Sequence, residues 1–357
     1  MKMKSHASLV LVSGLILSLL LSPSLIAQEQ EQTTKAQTSK IVIIPDQVKK
    51  VFDEGMPTRQ VRPDIPFSVT EHLYFPAGQN LYTIILFKVK NADLGFVAAG
   101  PEKKKEEALT AFETEASKLQ ARSHLFLQFN KLENNVPGEI LQEVYIPLNL
   151  QEDSSTYEPE KEEFYSAGYL LTPGNYLLSM AVCSQKLEKI GAQYYEFSLP
   201  EIAALTDTLI TTPIFFVKAQ KYLESPERRP TAHKGSFVYS IVNIEPNVEK
   251  VFSSGDNLGL FFYIFGAQQD EAGKFSIEVA FDIMKGEEKA ILFAPQKYDA
   301  PLINQELPLL RTVLIKSEEG DKTEKREVEA GTYTLKMTIT DKISGKSIIK
   351  SIDFDVR

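Results

Sequence analysis

The sequence predicts a mainly β protein: two tandem Ig-like β-sandwich modules related by an internal repeat, with one amphipathic helix inserted in the first. Three observations carry that expectation. From Phe67 onward, strand-length apolar runs alternate with Pro, Gly, Asn and Asp, the pattern of short strands joined by turns. Two stretches of chain repeat each other at constant offsets. In both copies a glycine stands two residues ahead of a tyrosine that opens a long alternating strand.

The chain opens with Lys2, Lys4 and His6, then an apolar run from Ala7 to Leu21, then Ser22-Pro23-Ser24-Leu25-Ile26-Ala27. This order reads as the charged, apolar and cleavage regions of a signal peptide over residues 1–27, cut after Ala27. The run falls short of the roughly 20 apolar residues that a membrane-spanning helix needs. No cysteine follows it, so a lipid anchor is not expected. The lone Cys183, beside Ala181 and Val182, reads as a buried apolar side chain. Export to the periplasm or the extracellular space is the expected localisation, with no membrane span after processing. Of 39 basic residues, cleavage removes Lys2 and Lys4 and no acid, leaving 37 against 48 acidic residues. Such a surface disfavours nucleic acid and anionic lipid as partners.

Residues 28–40, rich in Gln, Glu, Thr, Ser and Lys, read as a flexible leader. The first module is expected over 41–220, with Ile41 to Pro45 as a short strand. Phe75-Pro76-Ala77-Gly78-Gln79-Asn80-Leu81 shares Phe, Gly, Asn and Leu with Phe252-Ser253-Ser254-Gly255-Asp256-Asn257-Leu258. Each runs into an apolar stretch, Tyr82 to Val89 and Gly259 to Phe265. Gly174, Tyr176, Leu178, Met180 and Phe197 likewise align with Gly331, Tyr333, Leu335, Met337 and Phe354. Glycine at 174 and 331 permits a turn that a β-carbon hinders, and the tyrosine that follows resembles a tyrosine corner. Ser344-Gly345-Lys346 is expected to turn the chain into a closing strand from Ile348 to Val356. Between the matches, the first copy carries Glu102 to Arg122, where Leu109, Phe112, Ala116 and Leu119 fall three and four apart. That spacing predicts the inserted helix, over about 102–122. Ile210 to Val217 reads as an extra strand whose module the sequence leaves open. A stretch with Pro226 and Pro230 makes 221–235 the expected linker, ahead of a second module at 236–357.

Pro-Gly-Asn-Tyr-Leu-Leu at 173–178 and Ala-Gly-Thr-Tyr-Thr-Leu at 330–335 are each followed by a hairpin and a Phe-x-Leu or Phe-x-Val closing strand. These segments resemble the β-sandwich accessory modules of exported bacterial GWxTD-domain proteins. The similarity covers about Phe67–Leu199 and Phe237–Arg357. The Gly-Trp-x-Thr-Asp motif itself is absent, because the chain has no tryptophan, and no functional residue carries over.

Signatures of chemistry are sparse. No Gly-x-Ser-x-Gly occurs, and His72, His124 and His233 stand far apart in sequence, so an acyl-transfer triad is not expected. Neither His-Glu-x-x-His nor Cys-x-x-Cys is present, and phosphate-binding glycine loops are missing too. Asp256, Asp270-Glu271, Asp341 and the Asp353/Asp355 pair are candidate calcium ligands without the spacing of a calcium loop, and read as solvated acids. Glu158 to Glu163 and Glu318 to Glu329 read as exposed loops. Tyr194-Tyr195 and Phe261-Phe262-Tyr263 offer rings to a sugar, although alternation sends at least one ring of each run into the core. No catalytic, cofactor or metal residue is therefore assigned. The expected function is non-enzymatic binding or scaffolding through protein–protein contacts with another envelope or extracellular protein. A carbohydrate-binding accessory module and a hydrolase with its site in the sandwich loops are the alternatives.

Overall fold

A computed structural model describes residues 44–99, 118–202, 205, 208–315 and 322–357. The expected signal peptide and leader, Ile41–Ile43 of the expected first strand and residues 102–117 of the expected helix lie outside the described residues. Helix α1 (Asp46–Gly55) leads into β1 (Arg62–Pro63), β2 (Phe67–Ala77), β3 (Asn80–Lys90), β4 (Val97–Ala98), β5 (Lys118–Glu133) and β6 (Val136–Asp153). Then come β7 (Glu162–Leu171), β8 (Gly174–Ser184), β9 (Ile190–Leu199), β10 (Ile210–Thr211), β11 (Phe215–Tyr222), β12 (Ala232–Lys234), β13 (Phe237–Tyr239) and β14 (Val242–Pro246). The remaining strands are β15 (Val251–Phe252), β16 (Asn257–Phe265), β17 (Ile277–Lys285), β18 (Glu288–Leu292), β19 (Gln296–Tyr298) and β20 (Leu302–Pro308). They are followed by β21 (Leu310–Ile315), β22 (Lys322–Glu327), β23 (Gly331–Asp341) and β24 (Ser347–Val356).

These strands form four sheets and a ribbon. Sheet I runs β1-β9-β8-β5-β4 with β6 along β5, and sheet II runs β12-β7-β3-β2. Sheet III runs β10-β16-β11-β14-β13 with β20 along β16, sheet IV runs β15-β24-β23-β17-β18 with β19 along β17, and β21 pairs with β22. Sheets I and II enclose one core, around Phe87, Leu127, Leu178 and Met180. Sheets III and IV enclose a second, around Leu260, Phe262, Phe281 and Met337. The mainly β, sandwich-type fold expected from the sequence is thus present.

A third cluster joins the outer faces of sheets II and III, with Leu73, Phe75, Ile84 and Leu86 meeting Phe237, Tyr239, Ile244 and Phe261. The layers therefore stack I-II-III-IV. This explains why β3 and β16 read as nearly unbroken apolar runs. β3 sends Ile85, Phe87 and Val89 into the first core and Ile84 and Leu86 into the junction. β16 sends Leu258, Leu260, Phe262 and Ile264 into the second core and Phe261 into the junction. A strand buried on both faces has no polar side to alternate with.

Several expectations are corrected. Lys118–Arg122, the end of the expected helix, begins the 16-residue strand β5 instead, because Ala121 and Leu125 alternate inward against the first core. Ile44 and Pro45 are not strand: Pro45 caps α1, a helix the sequence reading did not assign. The extra strand at 210–217 resolves into β10 and the start of β11, both paired with β16 in sheet III. The stretch 221–235 is bonded at both ends, since Lys221 and Tyr222 pair with β14 and Ala232–Lys234 pairs with β7 of sheet II. Lys322–Glu327, expected as exposed loop, is strand β22, with the end of the Glu318–Glu329 stretch tucked in at buried Val328.

One of the two sequence matches is reproduced in geometry. Gly174 and Gly331 have φ of 145° and 147°, outside the range that L side chains favour. The Tyr176 hydroxyl donates to the Thr172 carbonyl at 2.6 Å, and the Tyr333 hydroxyl to the Glu329 carbonyl at 2.7 Å. Each tyrosine ring stacks on its cross-strand phenylalanine, Phe197 at 5.3 Å and Phe354 at 5.7 Å. The other match is not equivalent. Phe75 and Leu81 belong to one hairpin of sheet II, whereas Phe252 lies in sheet IV and Leu258 in sheet III.

α1 covers the outside of sheet I. Its Val48, Val51 and Phe52 fall at helical spacing and bury against Phe126, Ala181, Cys183, Ile190 and Ala192. The Tyr194 hydroxyl lies 2.9 Å from the Val51 carbonyl and 3.3 Å from the Phe52 carbonyl, and its hydrogen bond ties the last turn of α1 to sheet I. Cys183 lies beneath, and burial pushes its thiol up to about 12. A ten-residue helix has little stability of its own and depends on this contact. Truncating Phe52 to alanine should cost about 3–5 kcal/mol of docking and speed Cys183 modification by a thiol reagent roughly 100-fold or more. Thiol-labelling kinetics read this directly, and an unchanged rate would show that α1 does not shield the cysteine.

Candidate functional site

A recess opens where the two sandwiches meet. β11 pairs with β16 only over Phe215–Val217, opposite Phe261–Gly259. At Gly259 the strands come so close that a β-carbon would stand 2.6 Å from the Val217 carbonyl oxygen. Beyond that point a register shift between Val217 and Ala219 turns β11 away from β16 while it keeps its pairing with β14. The divergence leaves a groove of about 680 Å³, with Lys218, Gln220, Glu245, Asn257, Asn304 and Glu306 among its walls. A second recess of about 440 Å³ shares Ala219, Gln220, Gly235 and Glu245 with it and reaches Lys234 and Glu163.

Some of its charges are paired within the protein. Lys218 Nζ lies 2.8 Å from Glu245, and Lys234 bridges Glu152 of β6 and Glu163 of β7. The amide of Asn304 donates to Gln220 Oε1 at 3.0 Å across the groove. Asn257 reaches Glu306 at 3.5 Å. The sequence gives no sign that these side chains meet, because they converge from separate strands, Gln220 and Asn304 being 84 positions apart.

Most of the side chains singled out in the sequence lie elsewhere and hold the structure, whereas Asp256 lines the groove. His72 on β2 meets the Tyr195 hydroxyl at 3.0 Å through Nδ1, and burial lowers its pKa. His124 on β5 meets Tyr145 at 2.9 Å and the Gln185 carbonyl at 3.1 Å. His233 on β12 meets Glu227 at 3.0 Å. Asp256 and Asp270 accept main-chain N–H groups within their own turns. Asp353 and Asp355 accept hydroxyls of Thr334 and Thr332 across the β23–β24 pair. Among the described residues no three or more His, Cys, Asp or Glu side chains come together as a metal site would require. Tyr194, offered as a sugar-facing ring, instead anchors α1. Phe261 and Phe262 point into different cores, as strand alternation requires.

Asp341 departs most from its sequence reading. It is fully buried rather than solvated, and binds main-chain N–H groups of Gln268 at 3.0 Å and Ile343 at 3.1 Å and the Ser344 hydroxyl. Burial alone would raise its pKa, but the hydrogen bonds from Ser344, Gln268 and Ile343 outweigh it and hold the carboxyl below its ordinary value of 3.8.

No family model matches the chain, and no curated protein matches it. Among solved structures, the crystal structure of a point mutant of Salmonella alpha-2-macroglobulin aligns with 83% of this chain and 16% of that one, at 10% identity and a TM-score of 0.15. A likeness at that level carries no conclusion about fold or activity.

Asp341 yields a signed pH prediction. Its depressed pKa contributes stability that is present above the unfolded-state pKa and lost as pH falls toward the native one. Replacing Asp341 with asparagine should lower the unfolding free energy by about 1–3 kcal/mol at neutral pH, since one of its N–H partners loses its acceptor. That difference should shrink below about pH 4. Urea titrations of both proteins at several pH values measure it, and a difference that widens on acidification would contradict the assignment.

Proposed function

We propose that the chain is an exported, non-enzymatic binding or scaffolding protein that works through contacts with another envelope or extracellular protein. Its first 27 residues support export, as read from their charge and apolar pattern. The observation that carries the binding role is the rim of sheet I. The 18-residue β6 pairs only with β5 among the described residues. Along it Val136, Ile140, Leu141 and Tyr145 are exposed, which leaves apolar side chains available to a partner.

The contact would run through side chains rather than strand addition. Pro137 and Pro147 remove N–H donors from β6, and register shifts opposite Phe129–Leu132 break its regularity. Both devices blunt an edge against pairing with a further strand while leaving its side chains available.

Crosslinking and mass spectrometry on native envelopes should recover a recurrent partner joined near 136–145. Ile140→Glu with Leu141→Glu should abolish those crosslinks and leave the melting temperature within a few degrees, because both side chains are exposed. Repeated recovery of no partner, or crosslinks that survive the double substitution, would count against this reading.

A further inference from the structure

We propose that the groove between the two sandwiches is a saccharide-binding site that takes a neutral, extended oligosaccharide. This goes beyond the protein contact at β6 and is carried by a different part of the molecule. The walls are unusually rich in side-chain amides: Gln220, Asn243, Asn247, Asn257 and Asn304 line the two joined recesses. An amide both donates and accepts, as a sugar hydroxyl does, so two neighbouring hydroxyls can bond one planar group, one accepting from its NH2 and the other donating to its oxygen. The bonds already made, Asn304 to Gln220, Asn257 to Glu306 and Asn247 to the Val251 carbonyl, fix these amides in place and leave each with further donor and acceptor capacity.

The electrostatics select against anions. Lys218 is matched by Glu245, and Lys234 by Glu152 and Glu163, while Glu249, Asp256 and Glu306 also line the groove, so acidic groups outnumber basic ones along its walls. Stacking is available too. Tyr222 is 66% exposed and follows Lys221 of the second recess, outside the lining itself but on the same face of β11 as Gln220, where its ring can meet the apolar face of a pyranose that runs past the end of the groove. The recess volume falls in the range of small-ligand sites. It is also preformed, because Val217 of β11 and Phe261 of β16 are held in the aromatic junction, so little ordering cost accompanies binding. A peptide added as a strand would need side-chain pockets beside the β11 edge, and the walls there are amides and paired charges instead.

The test uses the full mature chain against neutral hexasaccharides of glucose, xylose and N-acetylglucosamine, with uronate hexasaccharides as charged controls, by glycan array and then calorimetry. At least one neutral oligosaccharide should bind, the uronates should bind more weakly, and Gln220→Leu, Asn304→Leu and Tyr222→Ala should each weaken binding about tenfold or more. Leu292→Ala, exposed on β18 and outside the groove, should leave affinity unchanged. Hydrogen exchange on the unaltered protein supplies a readout that does not depend on how the variants fold: added sugar should protect 215–222 and 304–306. No binding at millimolar sugar, protection confined to other segments, or affinities indifferent to the three substitutions would overturn the proposal. So would capture of arrayed peptides, in place of sugars, that the same substitutions abolish. None of these results bears on the β6 contact, which fails or stands on its own crosslinks.

Discussion

The structure turns on one contact, the stacking of aromatic side chains between the outer faces of sheets II and III. Phe75 lies 4.5 Å from Tyr239, 5.6 Å from Phe261 and 6.3 Å from Phe237, centroid to centroid, and Phe215 closes the group against Phe237 at 5.1 Å. Each such ring contributes about 1.5–3 kcal/mol by leaving water, with further gain from its edge-to-face partners. The Tyr239 hydroxyl also donates across the junction to the Pro76 carbonyl at 2.9 Å, and Ser166 donates to the Ser236 carbonyl at 2.8 Å. Main-chain pairing of β12 with β7 adds strand hydrogen bonds to the same seam. An interface that combines apolar, aromatic and ladder contacts behaves as interior rather than as a hinge between independent modules.

That seam also shapes the surfaces. β11 lies between β16 and β14, and the register shift after Val217 turns it from β16 while β14 stays on its other edge, so the divergence opens the groove. At the far side of the stack, sheet I is closed by α1, while its long strand β6 forms the rim. The outer face of sheet IV carries Thr332, Thr334, Asp353 and Asp355, bonded to one another and facing solvent.

Much of this was legible from local pattern. The glycine-tyrosine turns at 174–176 and 331–333 have the hydrogen bond that the residue types imply, because φ freedom and a buried hydroxyl are local requirements. The hairpin at Ser344–Lys346 is present, with Gly345 at a φ of 74°. What sequence could not give is what depends on the third dimension. The runs in β3 and β16 showed burial but not that their two faces serve different cores. The likeness of Phe75 to Phe252 was one of composition, since the following turn returns the chain to the same sheet in one case and crosses to another in the second. α1 did carry a signal, Val48, Val51 and Phe52 at helical spacing behind Pro45, but ten residues give too short a period to outweigh the strand-like Ile41–Ile44 ahead of it. The groove was invisible because its amides are polar strand residues that look like any solvated face until the strands are assembled.

Differential scanning calorimetry of the mature chain tests the shared seam most directly. If the aromatic junction makes the two sandwiches one cooperative unit, a single endotherm should appear with calorimetric and van't Hoff enthalpies equal. Two resolved transitions, each with the enthalpy of one sandwich, would show that the modules fold separately and that the junction is only a resting contact.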